Sequence, residues 1–112
     1  EAFCGNSVES ITATELKEMF ARRDDFILID VREPSEFQEV SIPGAQLIPM
    51  GQFKDGSAIS RLPRDRQIVL HCRSGQRSAD CLAILIDAGF ENVTHLDGGI
   101  LALIEYENQA NS

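Results

Sequence analysis

The 112-residue sequence lacks any apolar stretch approaching the about 20 consecutive residues of a membrane-spanning helix, and its N-terminus lacks the basic-then-apolar pattern of a signal peptide. A soluble protein with no membrane partner is expected. Basic residues are scarce: 10 Lys and Arg against 18 Asp and Glu give a formal net charge of −8. Binding along a phosphate backbone relies on clustered Lys and Arg, so nucleic acid is not an expected partner. Cysteine is sparse and odd in number: Cys4, Cys72 and Cys81 fit neither the paired spacing of a zinc site nor a disulfide framework. Free thiols, no bound metal and a reducing, cytoplasmic setting are expected. No internal repeat or low-complexity segment occurs.

What is present suffices for one hydrophobic core, since 43% of the residues are hydrophobic. Residues 1–10, with Gly5, Asn6, Ser7 and Ser10, have no sustained periodicity and read as a linker or the end of a preceding domain. The domain proper is expected over 11–108, with 109–112 as a C-terminal tail. Because the chain begins at Glu1 and not at Met, it is expected to be a piece of a longer protein.

Thr12-Ala13-Thr14-Glu15 has the form of a capping box, and Leu16, Met19 and Phe20 follow at helical spacing, predicting a helix over about 13–22. Phe26-Ile27-Leu28-Ile29-Asp30-Val31 and Gln67-Ile68-Val69-Leu70-His71 are short, nearly continuous apolar runs, as expected of strands buried on both faces. Between them, Pro34 to Gln38 suits a short helix with Pro in its first turn, Gln46-Leu47-Ile48 a brief strand, and residues 50–66 a helical turn and loop. Ala79, Leu82, Ala83, Leu85 and Ile86 mark an amphipathic helix over 78–88 closed by Gly89. Val93 to Leu96 reads as a strand, Asp97-Gly98-Gly99 as a turn, and Ile100 to Tyr106 as a final helix. Strands alternating with helices imply an α/β fold with a mainly parallel sheet.

In such a sheet ligands bind beyond the C-terminal ends of strands, and the strand 67–71, loop, helix 78–88 unit puts Cys72 there. The loop Cys72-Arg73-Ser74-Gly75-Gln76-Arg77 brings two guanidinium groups into an acidic chain, and Gly75 frees its backbone. Its N–H groups, the helix N-terminus and the two Arg side chains form a cradle for a sulfur anion or an oxyanion. The same field favours thiolate, the attacking species, so Cys72 is expected to be more acidic than a free thiol. The plain alternative is a buried structural cysteine.

Ile29-Asp30-Val31-Arg32, Ile42-Pro43-Gly44-Ala45, the Cys72-to-Arg77 loop and Leu96-Asp97-Gly98-Gly99-Ile100 together, in this order, resemble the rhodanese superfamily. The resemblance implies a three-layer fold with a five-stranded, mainly parallel sheet flanked by helices. It also implies a sulfurtransferase that carries sulfane sulfur as a Cys72 persulfide. Arg73, Ser74, Gly75, Gln76 and Arg77 would bind the substrate, and Asp30, Arg32 and Ser78 would support the loop. A cell-division-cycle-type or protein-tyrosine phosphatase is the nearest catalytic alternative, but those use Cys-x5-Arg where this chain has Cys72-x4-Arg77. The tighter ring suits a single sulfur atom better than a tetrahedral phosphate. A module that only docks a partner is the non-enzymatic alternative.

Glu1-Ala2-Phe3-Cys4-Gly5 resembles the end of the adenylyltransferase domain in fused MoeB/ThiF-type proteins that carry a C-terminal rhodanese domain. That resemblance implies a donor, thiosulfate or a desulfurase persulfide, and an acceptor, the adenylated C-terminal Gly-Gly of a ubiquitin-like sulfur carrier. Such carriers serve molybdopterin, thiamine or tRNA thiolation. No cofactor is implied. Two positions depart from the family pattern: Ser41, where many members have His, and Leu103, where many have Trp.

The remaining chemistry-bearing residues have structural readings beside functional ones. Asp30 and Arg32 read as an ion pair ahead of a direct role in orienting the loop. His71 precedes Cys72, yet successive strand side chains point to opposite faces, so a core role is favoured over that of a general base. His95 reads as a strand residue without a second ligand at metal-site spacing. Cys81 reads as core packing, with a resolving role for Cys72 as the alternative, and Cys4 as a bystander or a redox partner. Glu33, Glu36 and Glu39 read as a solvated face; rimming the pocket, they would repel free anions and favour a protein donor.

Overall fold

A computed structural model describes residues 10–110. The N-terminal Glu1-to-Gly5 motif and Cys4 lie outside the described residues. The two apolar runs form neighbouring central strands, β2 (Phe26–Asp30) and β4 (Gln67–His71), paired in parallel with Ile29 opposite Leu70 and Asp30 opposite His71. Both are covered on both faces, which is why neither shows polar alternation. The other strands are shorter: β1 (Ser10–Ile11) and β3 (Gln46–Leu47) at the edges and β5 (Val93–Leu96) between β1 and β4 complete a five-stranded, wholly parallel sheet in the order β1-β5-β4-β2-β3.

Side chains alternate across this sheet, and each face has its own core. Ile27, Ile29, Ile68, Leu70, Cys72 and Val93 pack on one side with Phe53, Ala58, Cys81, Leu82 and Leu85. These come from α3 (Met50–Lys54), α4 (Ser57–Arg61) and α5 (Gln76–Asp87). Leu28, Val69 and Leu96 face the other side, against Ala13, Leu16 and Met19 of α1 (Ala13–Arg22) and Ile100 and Leu103 of α6 (Gly99–Ala110). Each of the large aliphatic side chains contributes about 1.5–3 kcal/mol on burial, so both layers are needed to hold the sheet.

Thr12 and Glu15 close the expected capping box on α1: the Thr12 hydroxyl accepts the Glu15 N–H at 3.1 Å, and the Glu15 carboxylate accepts the Thr12 N–H at 2.9 Å. The short helix α2 (Pro34–Glu39) has Pro in its first turn. Three local expectations change. Residues 50–66 hold two short helices, α3 and α4, separated by a turn at Gly56. Helix α5 begins at Gln76, two residues earlier than the apolar pattern indicates, because Gly75 at φ 105° turns the chain directly into the helix. Helix α6 starts at Gly99 and runs to Ala110, well past Tyr106.

After β2 the chain moves outward to β3, whereas after β4 it moves the opposite way to β5. The C-terminal ends of β2 and β4 therefore flank a topological switch point, where open α/β sheets bind ligands. Asp30 and His71 end those two strands, and Cys72 follows His71.

Candidate functional site

Cys72 leaves β4 with its side chain on the α5 side of the sheet and only 1% of its surface exposed. The chain then curls around the sulfur. Sγ accepts N–H hydrogen bonds from Gly75 at 3.0 Å and Ser78 at 3.3 Å, and lies 3.5 Å from the Ser78 hydroxyl. Burial pushes the Cys72 thiol up, but hydrogen bonding with the Ser78 side chain and with the N–H groups of Ser78, Gly75 and Ser74 outweighs it. The net direction is below the ordinary thiol value, because these dipoles stabilise thiolate more than thiol.

The loop is held from beneath by the glycine turn before α6. Ile100 N–H donates to the Cys72 carbonyl at 2.8 Å and Leu101 N–H to the Arg73 carbonyl at 3.1 Å. The first turn of α6 thus spends its otherwise unpaired donors on the Cys72 loop. Only glycine permits so close an approach: a Cβ on Gly99 would sit 2.4 Å from the Arg73 carbonyl oxygen and 2.5 Å from that of Cys72.

The other expected site residues divide into two groups. Gly75 and Ser78 are buried against the sulfur, whereas Arg73, Ser74 and Gln76 are exposed around it. Arg77 is not free: its guanidinium makes a bidentate pair with Glu36 of α2, at 2.8 and 2.9 Å. Glu36 is therefore no member of a merely solvated face. It also accepts the Glu33 N–H at 3.0 Å, and its carboxyl is held down to about 2, chiefly by the hydrogen bonds from Arg77. This contact joins residues 41 positions apart, and no local pattern announces it.

Asp30 and Arg32 form a fully buried pair. Arg32 Nε donates to both Asp30 carboxylate oxygens and Nη2 to one of them at 2.6 Å, while Nη2 also reaches the Val40 carbonyl at 2.6 Å. They brace the end of β2 and the segment leading to β3. His71 lies on their side of the sheet, with Nε2 3.8 Å from Asp30, and burial pushes its pKa down. A neutral core histidine results, facing away from the thiol as strand alternation requires.

Cys81 is completely buried one turn beyond Ser78 on the same face of α5, and burial pushes its thiol up to about 12. His95, read from the sequence as a strand residue without a metal role, also reaches the site. Its Nδ1 lies 2.9 Å from the Ser78 hydroxyl. Strand alternation placing His95 on the α5 side of the sheet, beside Val93's face, is the one signal that pointed there.

The arrangement is a recessed, hydrogen-bonded thiol at a helix N-terminus, with its pKa drawn below the ordinary thiol value. Among the described residues, no cluster of three or more His, Cys, Asp or Glu is placed to hold a metal ion, and no helix is long and apolar enough to cross a membrane. Comparison with known proteins agrees with the geometry. The family model for the rhodanese-like domain matches residues 12–105. The chain is 41% identical over 111 residues to the "Probable adenylyltransferase/sulfurtransferase MoeZ" of Mycobacterium tuberculosis, covering 91% of this chain but only 28% of that protein. It is 37% identical over 95 residues to a sulfurtransferase of Allochromatium vinosum, covering 85% of this chain and 87% of the relative. A rhodanese-related protein from Thermoplasma volcanium superposes with a TM-score of 0.76 at 33% identity, over 88% of this chain and 92% of that one. The names of these relatives support a sulfurtransferase function. With the family model covering nearly the whole described region, the chain belongs to the rhodanese-like domain family.

Proposed function

We propose that the chain is a sulfurtransferase in which Cys72 carries sulfane sulfur as a persulfide. The observation that carries this reading is the buried Cys72 Sγ ringed by the Gly75 and Ser78 N–H groups. The thiolate attacks the sulfane sulfur of a donor; the donor's S–S bond breaks, and sulfite from thiosulfate, or a thiolate from a donor persulfide, departs. The terminal sulfur then lies at the mouth of the loop, where N–H dipoles stabilise its negative charge.

The rim favours a protein donor. Arg77, which would attract a free dianion such as thiosulfate, is neutralised by Glu36, and the chain as a whole carries a charge of −8. Arg73 remains exposed on the outer side of the loop to meet an incoming group. By analogy with the paired activities in the name of MoeZ, the acceptor is the adenylated C-terminus of a ubiquitin-like sulfur carrier.

The reading is tested by incubating the protein with thiosulfate and then cyanide. Thiocyanate should form with the wild type and not with Cys72→Ser. Absence of thiocyanate together with turnover of an aryl phosphate would replace sulfur transfer by phosphatase chemistry.

A further inference from the structure

The Ser78 hydroxyl has one proton and three neighbours that compete for it. Its Oγ lies 3.5 Å from Cys72 Sγ, 2.9 Å from His95 Nδ1 and 3.2 Å from the Gly75 carbonyl oxygen. The carbonyl only accepts. The sulfur donates as thiol and accepts as thiolate, and the imidazole nitrogen donates or accepts according to its protonation. Ser78 is fully buried, so its hydrogen bonds are confined to these partners, whereas His95 is partly exposed.

His95 reaches this position because Val93 and His95 point to the α5 side of β5, and His95 pairs with Leu70, two residues before Cys72. On its outer side the ring borders a surface hollow with Ala79, Leu82 and Asp87 of α5 and Ser10 of β1. Among the described residues lining that hollow, Asp87 is the charged side chain beside His95, and Ser10 and Leu70 flank the ring from the neighbouring strands. A buried sulfur is thus linked through one hydroxyl to an imidazole at the surface.

The geometry points to His95 as a positioning residue that draws the Cys72 proton outward through Ser78. In the resting arrangement the Cys72 thiol donates to Ser78 Oγ, and the Ser78 O–H donates to His95 Nδ1. Moving both protons one place along breaks the S–H bond and forms an N–H bond, while Ser78 exchanges one O–H for another. No electrons change hands. The product is a thiolate paired with an imidazolium, and the Ser78 proton now faces the sulfur as a third donor beside the N–H groups of Gly75 and Ser78. Return of the proton after sulfur has left restores the thiol. The relay serves the sulfur transfer proposed above, but the thiolate it makes is measurable without any sulfur donor.

A histidine that only filled space between β5 and α5 would be replaced better by leucine than by asparagine. The relay demands the opposite order. His95→Asn puts an amide nitrogen where Nδ1 lies, able to donate to Ser78 and so leave the Ser78 proton to the sulfur; His95→Leu offers nothing. Iodoacetamide labelling of Cys72 is followed by peptide mass across pH 5–9, with thermal unfolding as the check on folding. Labelling of His95→Leu at neutral pH should be slower by about tenfold, the worth of one hydrogen bond to a charged group, with its midpoint moved to higher pH. His95→Asn should recover only part of the wild-type rate, because its amide keeps the Ser78 proton turned to the sulfur but takes up no proton. Thiocyanate formation should follow the same order.

Should His95→Leu fail to fold, His95→Gln replaces it, because its amide overlays Nε2 and not Nδ1. Wild-type labelling by either folded variant would overturn the relay. Normal acid labelling of wild-type Cys72 without any thiocyanate would count against the sulfur-transfer reading and leave the relay standing.

Discussion

Replacing Gly99 with alanine isolates the contact that supports the Cys72 loop. Gly99 has φ 63°, a left-handed conformation that costs an L-residue about 1–2 kcal/mol. The new Cβ would also lie 2.4 Å from the Arg73 carbonyl oxygen and 2.5 Å from the Cys72 carbonyl oxygen, and both of those are backbone atoms with no rotamer to yield. Relief requires the loop and α6 to separate, which breaks the Ile100-to-Cys72 and Leu101-to-Arg73 hydrogen bonds at about 1 kcal/mol each. The sum is roughly 3–4 kcal/mol, or on the order of 10–20 °C in melting temperature for a domain of this size. Gly44→Ala is the matched control: φ is 90°, and nothing lies within 4 Å of its Cβ, so only the backbone strain of about 1–2 kcal/mol applies. Urea unfolding of both variants, with Cys72 alkylation as the readout of loop geometry, decides the matter. Equal destabilisation by the two substitutions, with unchanged alkylation in Gly99→Ala, would refute the reasoning.

Three further outcomes follow from the site's ion pairs and thiols. The folded-state pKa of Glu36, about 2, lies below the ordinary carboxylate value of 4.5, so its pairing with Arg77 stabilises fully above about pH 4.5 and is lost as pH falls toward 2. Glu36→Gln should remove roughly 1–2 kcal/mol at neutral pH after allowance for solvent screening, flatten that acid limb in urea titrations, and lower the KM for thiosulfate by freeing Arg77. Arg32→Ala strands the Asp30 carboxylate in the interior beside a neutral His71, and should cost about 3–5 kcal/mol in urea unfolding. A loss under 1 kcal/mol would show that the buried Asp30 does not depend on Arg32. Cys81, with its thiol pushed up by burial to about 12, should resist iodoacetamide at pH 8 in the folded protein, and Cys81→Ala should retain sulfur transfer. Loss of transfer in a folded Cys81→Ala variant would restore the resolving role.

Much of the architecture is legible from short-range patterns. The runs 26–31 and 67–71 declare central parallel strands because apolar residues cover both faces, and Thr12 with Glu15 marks the start of α1 because a capping box is a local device. The two-residue strands are another matter. Ser10 and Ile11 are a strand only because β5 offers them an edge, and two residues carry no period. Helix α6 outruns its apolar pattern because its last turns, through Glu105, Glu107 and Gln109, are exposed.

The site divides in the same way. Cys72, Gly75 and Ser78 belong to one contiguous segment whose chemistry is readable from residue types and spacing. The pairing of Glu36 with Arg77, the approach of Gly99 to the Cys72 carbonyl, and the reach of His95 to Ser78 each depend on how separate elements pack. Long-range packing therefore decides which arginine is available to an anion and where the sulfur's proton goes.

The most direct test of the central claim is the mass of the Cys72 peptide after exposure to thiosulfate or to a persulfide-loaded desulfurase, with excess donor removed. One added sulfur atom on Cys72, released by cyanide or dithiothreitol and absent in Cys72→Ser, is the predicted result. A peptide that stays unmodified with both donors, or sulfur that resides on Cys81 instead, would contradict the account.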